Sequence, residues 1–163
     1  GTISSSKVDK AVKPVVLESL DENLKPEPDV ERWKQLYEAA TQYSEAGRYS
    51  HADSLYREAI NLMTEQGIYG QPMAEVLYNY AAICRKQKKY DKAEALFLSS
   101  SSQHKDPETY FALSVIAKEQ DRTLVAGFWI RQALALDPEN EEFRQFQKYM
   151  GTTSPQPSSP SSE

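Results

Sequence analysis

One stretch of this chain recurs, and the recurrence narrows what it can fold into. Gly47-Arg48-Tyr49-Ser50-His51-Ala52-Asp53-Ser54-Leu55-Tyr56-Arg57-Glu58-Ala59 is followed 41 residues on by Lys88-Lys89-Tyr90-Asp91-Lys92-Ala93-Glu94-Ala95-Leu96-Phe97. Another 33 residues bring Asp121-Arg122-Thr123-Leu124-Val125-Ala126-Gly127-Phe128-Trp129-Ile130-Arg131-Gln132-Ala133. Each copy follows an amphipathic helical stretch. Self-similarity at such spacing confines a chain to a stack of like units, each leaving an apolar face that only its neighbour can cover.

The register holds upstream of each turn as well. Leu36, Ala39, Ala40 and Tyr43 correspond to Leu77, Tyr80, Ala81 and Cys84, and then to Tyr110, Leu113, Ser114 and Ala117. The small residue (Ala40, Ala81, Ser114) and the later alanine (Ala52, Ala93, Ala126) share one physical cause. Two antiparallel helices joined by a short turn approach closely somewhere, and a large side chain there would part them. Tyr56, Phe97 and Ile130, four places after that alanine, lie on the same helix face and fill the space beside it.

This pattern resembles the tetratricopeptide repeat, a helix-turn-helix unit of about 34 residues. The resemblance covers roughly residues 30 to 150. Two departures stand out. The large residue expected early in the first helix is Leu36, Leu77 or Tyr110, never Trp, and the closing proline falls in register only at Pro138. Extra residues around Gly67-Ile68-Tyr69-Gly70-Gln71-Pro72, with Leu77-Tyr78-Asn79-Tyr80-Ala81 after them, resemble the kinesin-light-chain subtype. The implied fold class is all-α: a right-handed superhelical helix-turn-helix solenoid of three repeats plus a C-terminal capping helix.

Composition agrees with a single domain. The chain has 163 residues, and its aromatics all lie between Trp33 and Tyr149. Core-forming residues are therefore concentrated in the middle, where a stack of repeats can bury a continuous core. A net charge of -5 argues against nucleic acid or an anionic membrane surface, which call for a basic patch. The lone cysteine excludes an internal disulfide framework. No apolar run approaches the ~18 residues of a membrane span.

Three regions are expected: a flexible tail over 1–28, a repeat domain over 29–151, and a disordered Ser/Pro-rich tail over 152–163. Within the first tail, Val16, Leu17, Leu20 and Leu24 follow Pro14 at helical spacing and admit a short docking helix; the preferred reading is a disordered tether. Asp29 after Pro28 reads as an N-cap for a first helix from Val30 to Ala46, ended by Gly47. Further helices are expected from Ser50 to Gln66, from Pro72 to Lys88, from Asp91 into a fraying run Ser99–Ser102, from Asp106-Pro107, and from Thr123 to Leu136. Asp137-Pro138 starts a last helix, Glu139 to Met150, ended by Gly151. Its apolar stripe Phe143, Phe146, Tyr149 and Met150 suits a lid on the final repeat.

No catalytic or ligand motif accompanies the repeats. There is no glycine-rich phosphate loop, no paired-cysteine spacing and no His-Glu-x-x-His. His51 and His104 have no recurring acidic partner and read as exposed and idle. Cys84 sits at a core position and reads as a small buried hydrophobe. The reading is non-catalytic, with no cofactor and no metal.

In the resembled family, the first helix of each repeat lines a concave groove that holds a partner peptide. Carried onto this register, the groove shows Lys34, Tyr37, Thr41 and Glu45 from the first unit. The second unit shows Glu75, Tyr78, Asn79, Ala82, Arg85 and Lys86; the third shows Glu108, Phe111, Ala112, Val115, Lys118 and Glu119. Tyr37, Tyr78 and Phe111 share one register place and form either a contact surface or packing between helices. Of the places where chaperone-binding members grip a C-terminal carboxylate, only Asn79 matches, and Glu108 would repel that ligand. The implied function is an interaction scaffold taking an extended or helical peptide segment of another protein. The alternative is a structural subunit that self-assembles, or joins a larger complex, through its convex face or repeat ends. The groove's charges are mixed, leaving the ligand's charge and the oligomeric state open. The expected compartment is the cytoplasm, with export after removal of a signal sequence as the alternative, since the chain starts Gly1-Thr2.

Overall fold

The computed structural model describes residues 31–153. The expectations for Asp29, for the stretch around Leu17 and for most of the Ser/Pro-rich tail lie outside these residues. Among the described residues the chain forms seven helices and no strand. They are α1 (Arg32–Glu45), α2 (Tyr49–Glu65), α3 (Gln71–Lys86), α4 (Tyr90–Gln103), α5 (Pro107–Glu119), α6 (Thr123–Leu136) and α7 (Glu141–Thr153). The chief pairings are α1 with α2, α3 with α4, and α5 with α6, giving three hairpins. Their neighbours α2 and α3, α4 and α5, and α6 and α7 join the hairpins into a helical-repeat solenoid.

The small residues stand where the helices meet. Ala40, Ala81 and Ser114, and across from them Ala52, Ala93 and Ala126, are all fully buried. In the third hairpin the Ser114 hydroxyl donates to the Ala126 carbonyl at 2.6 Å, so the same close approach also carries a hydrogen bond. Tyr56, Phe97 and Ile130 are buried beside the alanines, as their spacing predicts.

One turn geometry closes all three hairpins. Gly47, Lys88 and Asp121 have positive φ of 77°, 60° and 58°. The amide of the following residue reaches back across the last helical turn: Arg48 to Tyr43 at 2.9 Å, Lys89 to Cys84 at 2.9 Å, Arg122 to Ala117 at 2.8 Å. This satisfies carbonyls that the helix leaves without partners. Only the first unit uses glycine; lysine and aspartate are held in the left-handed region by these bonds. The lengthened first unit is visible too, since α2 has 17 residues where α4 and α6 have 14 each.

Two boundaries differ from expectation. The run Ser99–Ser102 is helical to Gln103, and three of its four hydroxyls find partners. Ser100 is buried and donates to the Ala74 carbonyl at 2.7 Å, while Ser101 and Ser102 both return to Leu98. The last helix starts at Glu141 rather than Glu139 and runs past Gly151 to Thr153. Asn140, not Asp137, caps it: Asn140 Oδ1 accepts from the Phe143 amide at 3.1 Å, and Asp137 Oδ2 accepts from Asn140 Nδ2 at 3.0 Å.

The core is also not one unbroken cluster. A large cluster runs from Trp33 to Ile116 and a smaller one comprises Ala117, Ala126, Ile130, Ala133, Phe143 and Met150. The Tyr110 ring packs against both and stacks on Trp129 at 5.6 Å. Helix α7 covers the end of the stack with Phe143 and Met150. Tyr149, expected in the same stripe, is exposed, with the Lys118 ammonium 5.6 Å from its ring.

Candidate functional site

Helices α1, α3 and α5, the first helices of the three hairpins, carry the predicted groove residues. Their juxtaposition is tightest between α1 and α3. The Tyr37 hydroxyl donates to Glu75 Oε1 at 3.0 Å and accepts from Asn79 Nδ2. Burial first, then Glu75, pushes the Tyr37 phenol well above its ordinary range, so it stays a donor. Asn79 therefore spends one amide proton inside the protein, leaving its carbonyl and second proton for other use.

Two clefts flank this network. One, of about 420 Å³, lies between α1 and α3 and is lined by Trp33, Lys34, Tyr37, Glu38, Gln71, Pro72 and Glu75. The other, of about 410 Å³, lies between α3, the end of α4 and the start of α5. Glu75, Tyr78, Asn79, Ser100, His104, Asp106, Glu108 and Thr109 are among its walls. Asp106 also caps α5, accepting from the Glu108 amide at 2.9 Å, and Pro107 follows at the first helical position. Sequence reasoning did not place Trp33, Glu38, Gln71, Ser100, His104, Asp106 or Thr109 here. Asp106 and Pro107 were legible only as a helix start; that such a start would face a cleft depends on the neighbouring hairpin.

The remaining predicted residues divide. Tyr78 is half-buried and meets Phe97 edge-on at 5.2 Å; burial, then Glu108 and Asp106, raises its phenol. Phe111 packs under α7, 4.9 Å from Phe143 and 5.3 Å from Phe146, so the lid helix occupies its side of the face. Ala112 is buried in the core, and Ala82 and Val115 are half-buried. The Thr41 hydroxyl returns to the Tyr37 carbonyl at 3.1 Å. Lys34 pairs with Glu31 at 2.6 Å, and Arg85 Nε donates to Glu119 at 2.8 Å, where Tyr90 also donates at 3.0 Å. Lys86 and Glu45 are exposed.

Other reactive groups are structural. Cys84 is fully buried, which pushes its thiol up. His51, read from the sequence as idle, lies flat on Tyr43 with ring centroids 3.8 Å apart. Among the described residues no group of His, Cys, Asp or Glu could hold a metal ion, and no helix is long and apolar enough to cross a membrane.

A family model described as "Tetratricopeptide repeat" matches residues 74–100, most of the α3–α4 hairpin. No curated protein matches. Among solved structures, the MamA RS-1 ArsTM double mutant is similar with a TM-score of 0.71 at 18% identity, over 93% of this chain and 80% of that one. The Yersinia enterocolitica type III secretion chaperone SycD, in complex with a peptide of the translocator YopD, has a TM-score of 0.63 at 16% identity, over 78% and 92%. The first tetratricopeptide domain of Spaghetti (RPAP3), bound to the HSP90 peptide SRMEEVD, has a TM-score of 0.64 at 17% identity, over 76% and 94%. The chain thus carries a tetratricopeptide repeat in its middle hairpin and folds throughout its described length as a tetratricopeptide-repeat solenoid.

Proposed function

We propose that the protein is a non-catalytic scaffold that binds a peptide segment of a partner protein along α1, α3 and the start of α5. The observation that carries this is the Tyr37–Glu75–Asn79 network standing between two clefts on one face. A face built this way offers a peptide backbone a preorganised amide, with room on either side for its side chains. The likeness to two structures that hold peptides, SycD and Spaghetti, supports the reading.

The test is selection of a phage-displayed random peptide library on the wild-type protein, followed by calorimetry of the selected peptides. Asn79→Ala and Tyr78→Ala should each weaken binding by roughly 5- to 150-fold, the loss of one desolvated contact, with circular dichroism unchanged. Selected peptides that bind both variants as tightly as wild type would rule this face out.

A second reading has its own observation. On α6, Leu124 is 88% exposed and Phe128, on the same face one turn later, is 46% exposed. An apolar pair so open fits a subunit that assembles through its convex side. Light scattering separates the readings. A concentration-dependent oligomer that Tyr78→Ala leaves intact and Leu124→Asp dissolves would favour assembly.

A further inference from the structure

Resting on the peptide-binding reading, we infer that the cleft between α3 and α5 accepts a basic side chain, lysine or arginine, of the bound segment. The sequence showed mixed charges along this face; the fold sorts them. Lys34 and Arg85 are engaged by Glu31 and Glu119, away from this cleft. What lines it is acidic: Glu75 from α3 and Asp106 and Glu108 from the start of α5, with His104 the basic residue on its wall. The crowding registers on Glu108, whose carboxyl is raised by burial and then by Glu142, Asp106 and Asp137. A cation placed there would relieve that repulsion.

A second feature points into the same space. Thr109 lines the cleft, is 2% exposed, and its hydroxyl bonds to no described residue. A hydroxyl left without a protein partner on the wall of a cleft lined by three carboxylates is open to a ligand's hydrogen-bonding group. A guanidinium or ammonium donates several such bonds at once. The half-buried ring of Tyr78 completes the wall.

The protein already holds one of its own lysines by the same combination. The Lys92 ammonium lies 2.9 Å from Asp53 Oδ1 and 4.9 Å from the centroid of the Tyr80 ring. A carboxylate beside a tyrosine is thus a working cation site in this fold, and the α3–α5 cleft has the same parts with no lysine or arginine of the described chain among its lining residues.

Peptides selected from the random library on wild-type protein test the inference directly. They should share a lysine or arginine at one position. Replacing it by norleucine should weaken binding about tenfold, the scale of a charge-assisted contact. Glu108→Gln, at an exposed position, should weaken the parent peptide similarly and have little further effect on the norleucine peptide. Arginine amide alone, at the same concentrations, should not compete. Peptides that lose affinity on Asn79→Ala but share no basic residue, or ignore Glu108→Gln, would overturn the inference and leave the groove reading standing. Peptides indifferent to Asn79→Ala and Tyr78→Ala would overturn both. Competition by arginine amide as strong as by the peptide would assign the cleft to a free cation and overturn its role in peptide recognition.

Discussion

The hydroxyl of Ser100 on α4 donates to the carbonyl oxygen of Ala74 on α3 across 2.7 Å. Both residues are buried at the contact between the two helices of the middle hairpin. A serine is small enough to allow the close approach, and its hydroxyl is satisfied by a carbonyl from the facing helix. Ser100→Ala should therefore lower stability by about 0.5–1.5 kcal/mol, the net worth of one hydrogen bond. Ser100→Leu should lower it by about 1–3 kcal/mol, by forcing the helices apart. Urea unfolding measures both, and a leucine variant as stable as wild type would contradict the close contact.

The left-handed turn residues make a graded series. Gly47 has no atom within 4 Å of where a Cβ would stand, so substitution there strains the backbone alone. Gly47→Ala should destabilise by about 1–2 kcal/mol. Lys88→Gly should stabilise by about 0.5–1 kcal/mol, relief of strain less the entropy glycine loses on folding. Asp121→Gly should gain less, because aspartate tolerates this conformation better than lysine. Thermal unfolding of the three variants gives the order; a destabilised Lys88→Gly would show that its side chain outweighs the strain.

Asp53 links three helices, accepting from Tyr80 at 2.6 Å, from Lys92 at 2.9 Å and from Arg57 at 2.9 Å. Burial raises its pKa, but Tyr80, Lys92 and Arg57 outweigh that and hold the carboxyl below its ordinary 3.8. A pKa depressed by folding contributes stability that is complete above the unfolded value and lost as pH falls through the folded one. Asp53→Asn should thus be less stable than wild type by about 1–3 kcal/mol near neutrality. The gap should close as pH drops below 3.8. Denaturation midpoints across that range check this, and a gap independent of pH would remove the carboxylate from the explanation.

Phe143 on α7 is fully buried against Phe111, whereas Tyr149 on the same helix is exposed. Phe143→Ala should cost about 3–5 kcal/mol through the cavity it leaves. Tyr149→Ala, removing an exposed ring that meets the Lys118 ammonium and the Phe146 ring, should cost less than about 1 kcal/mol. Comparable losses from the two would mean that α7 does not close the stack through Phe143.

Much of the fold was legible because it is written locally and three times over. The spacing of Ala52, Ala93 and Ala126 marked the helix contacts, and Asp106-Pro107 marked a helix start through chemistry confined to neighbouring residues. The lid helix was legible from its apolar stripe, though not its true cap: Asn140 displaced the more conspicuous Asp137, and both side chains had the chemistry for it. The serine run was misjudged because helix propensity describes an isolated helix, and Ser100 is not isolated.

The sequence by itself determined the helix-turn-helix repeat, its register and which side of each hairpin closes on the other. Periodicity and the size of the contact residues suffice for that, since both act within one hairpin. Only the tertiary structure decided how one hairpin meets the next. It turned Asn79 and Glu75 onto Tyr37, put Phe111 beneath α7, and drew Arg85 onto Glu119 while the acidic start of α5 came to line a cleft. Most of those contacts join residues some 30 to 40 positions apart, such as Tyr37 with Glu75 at a separation of 38. Their electrostatics depend on distances of a few ångströms between helices, a quantity that no pattern along the chain encodes.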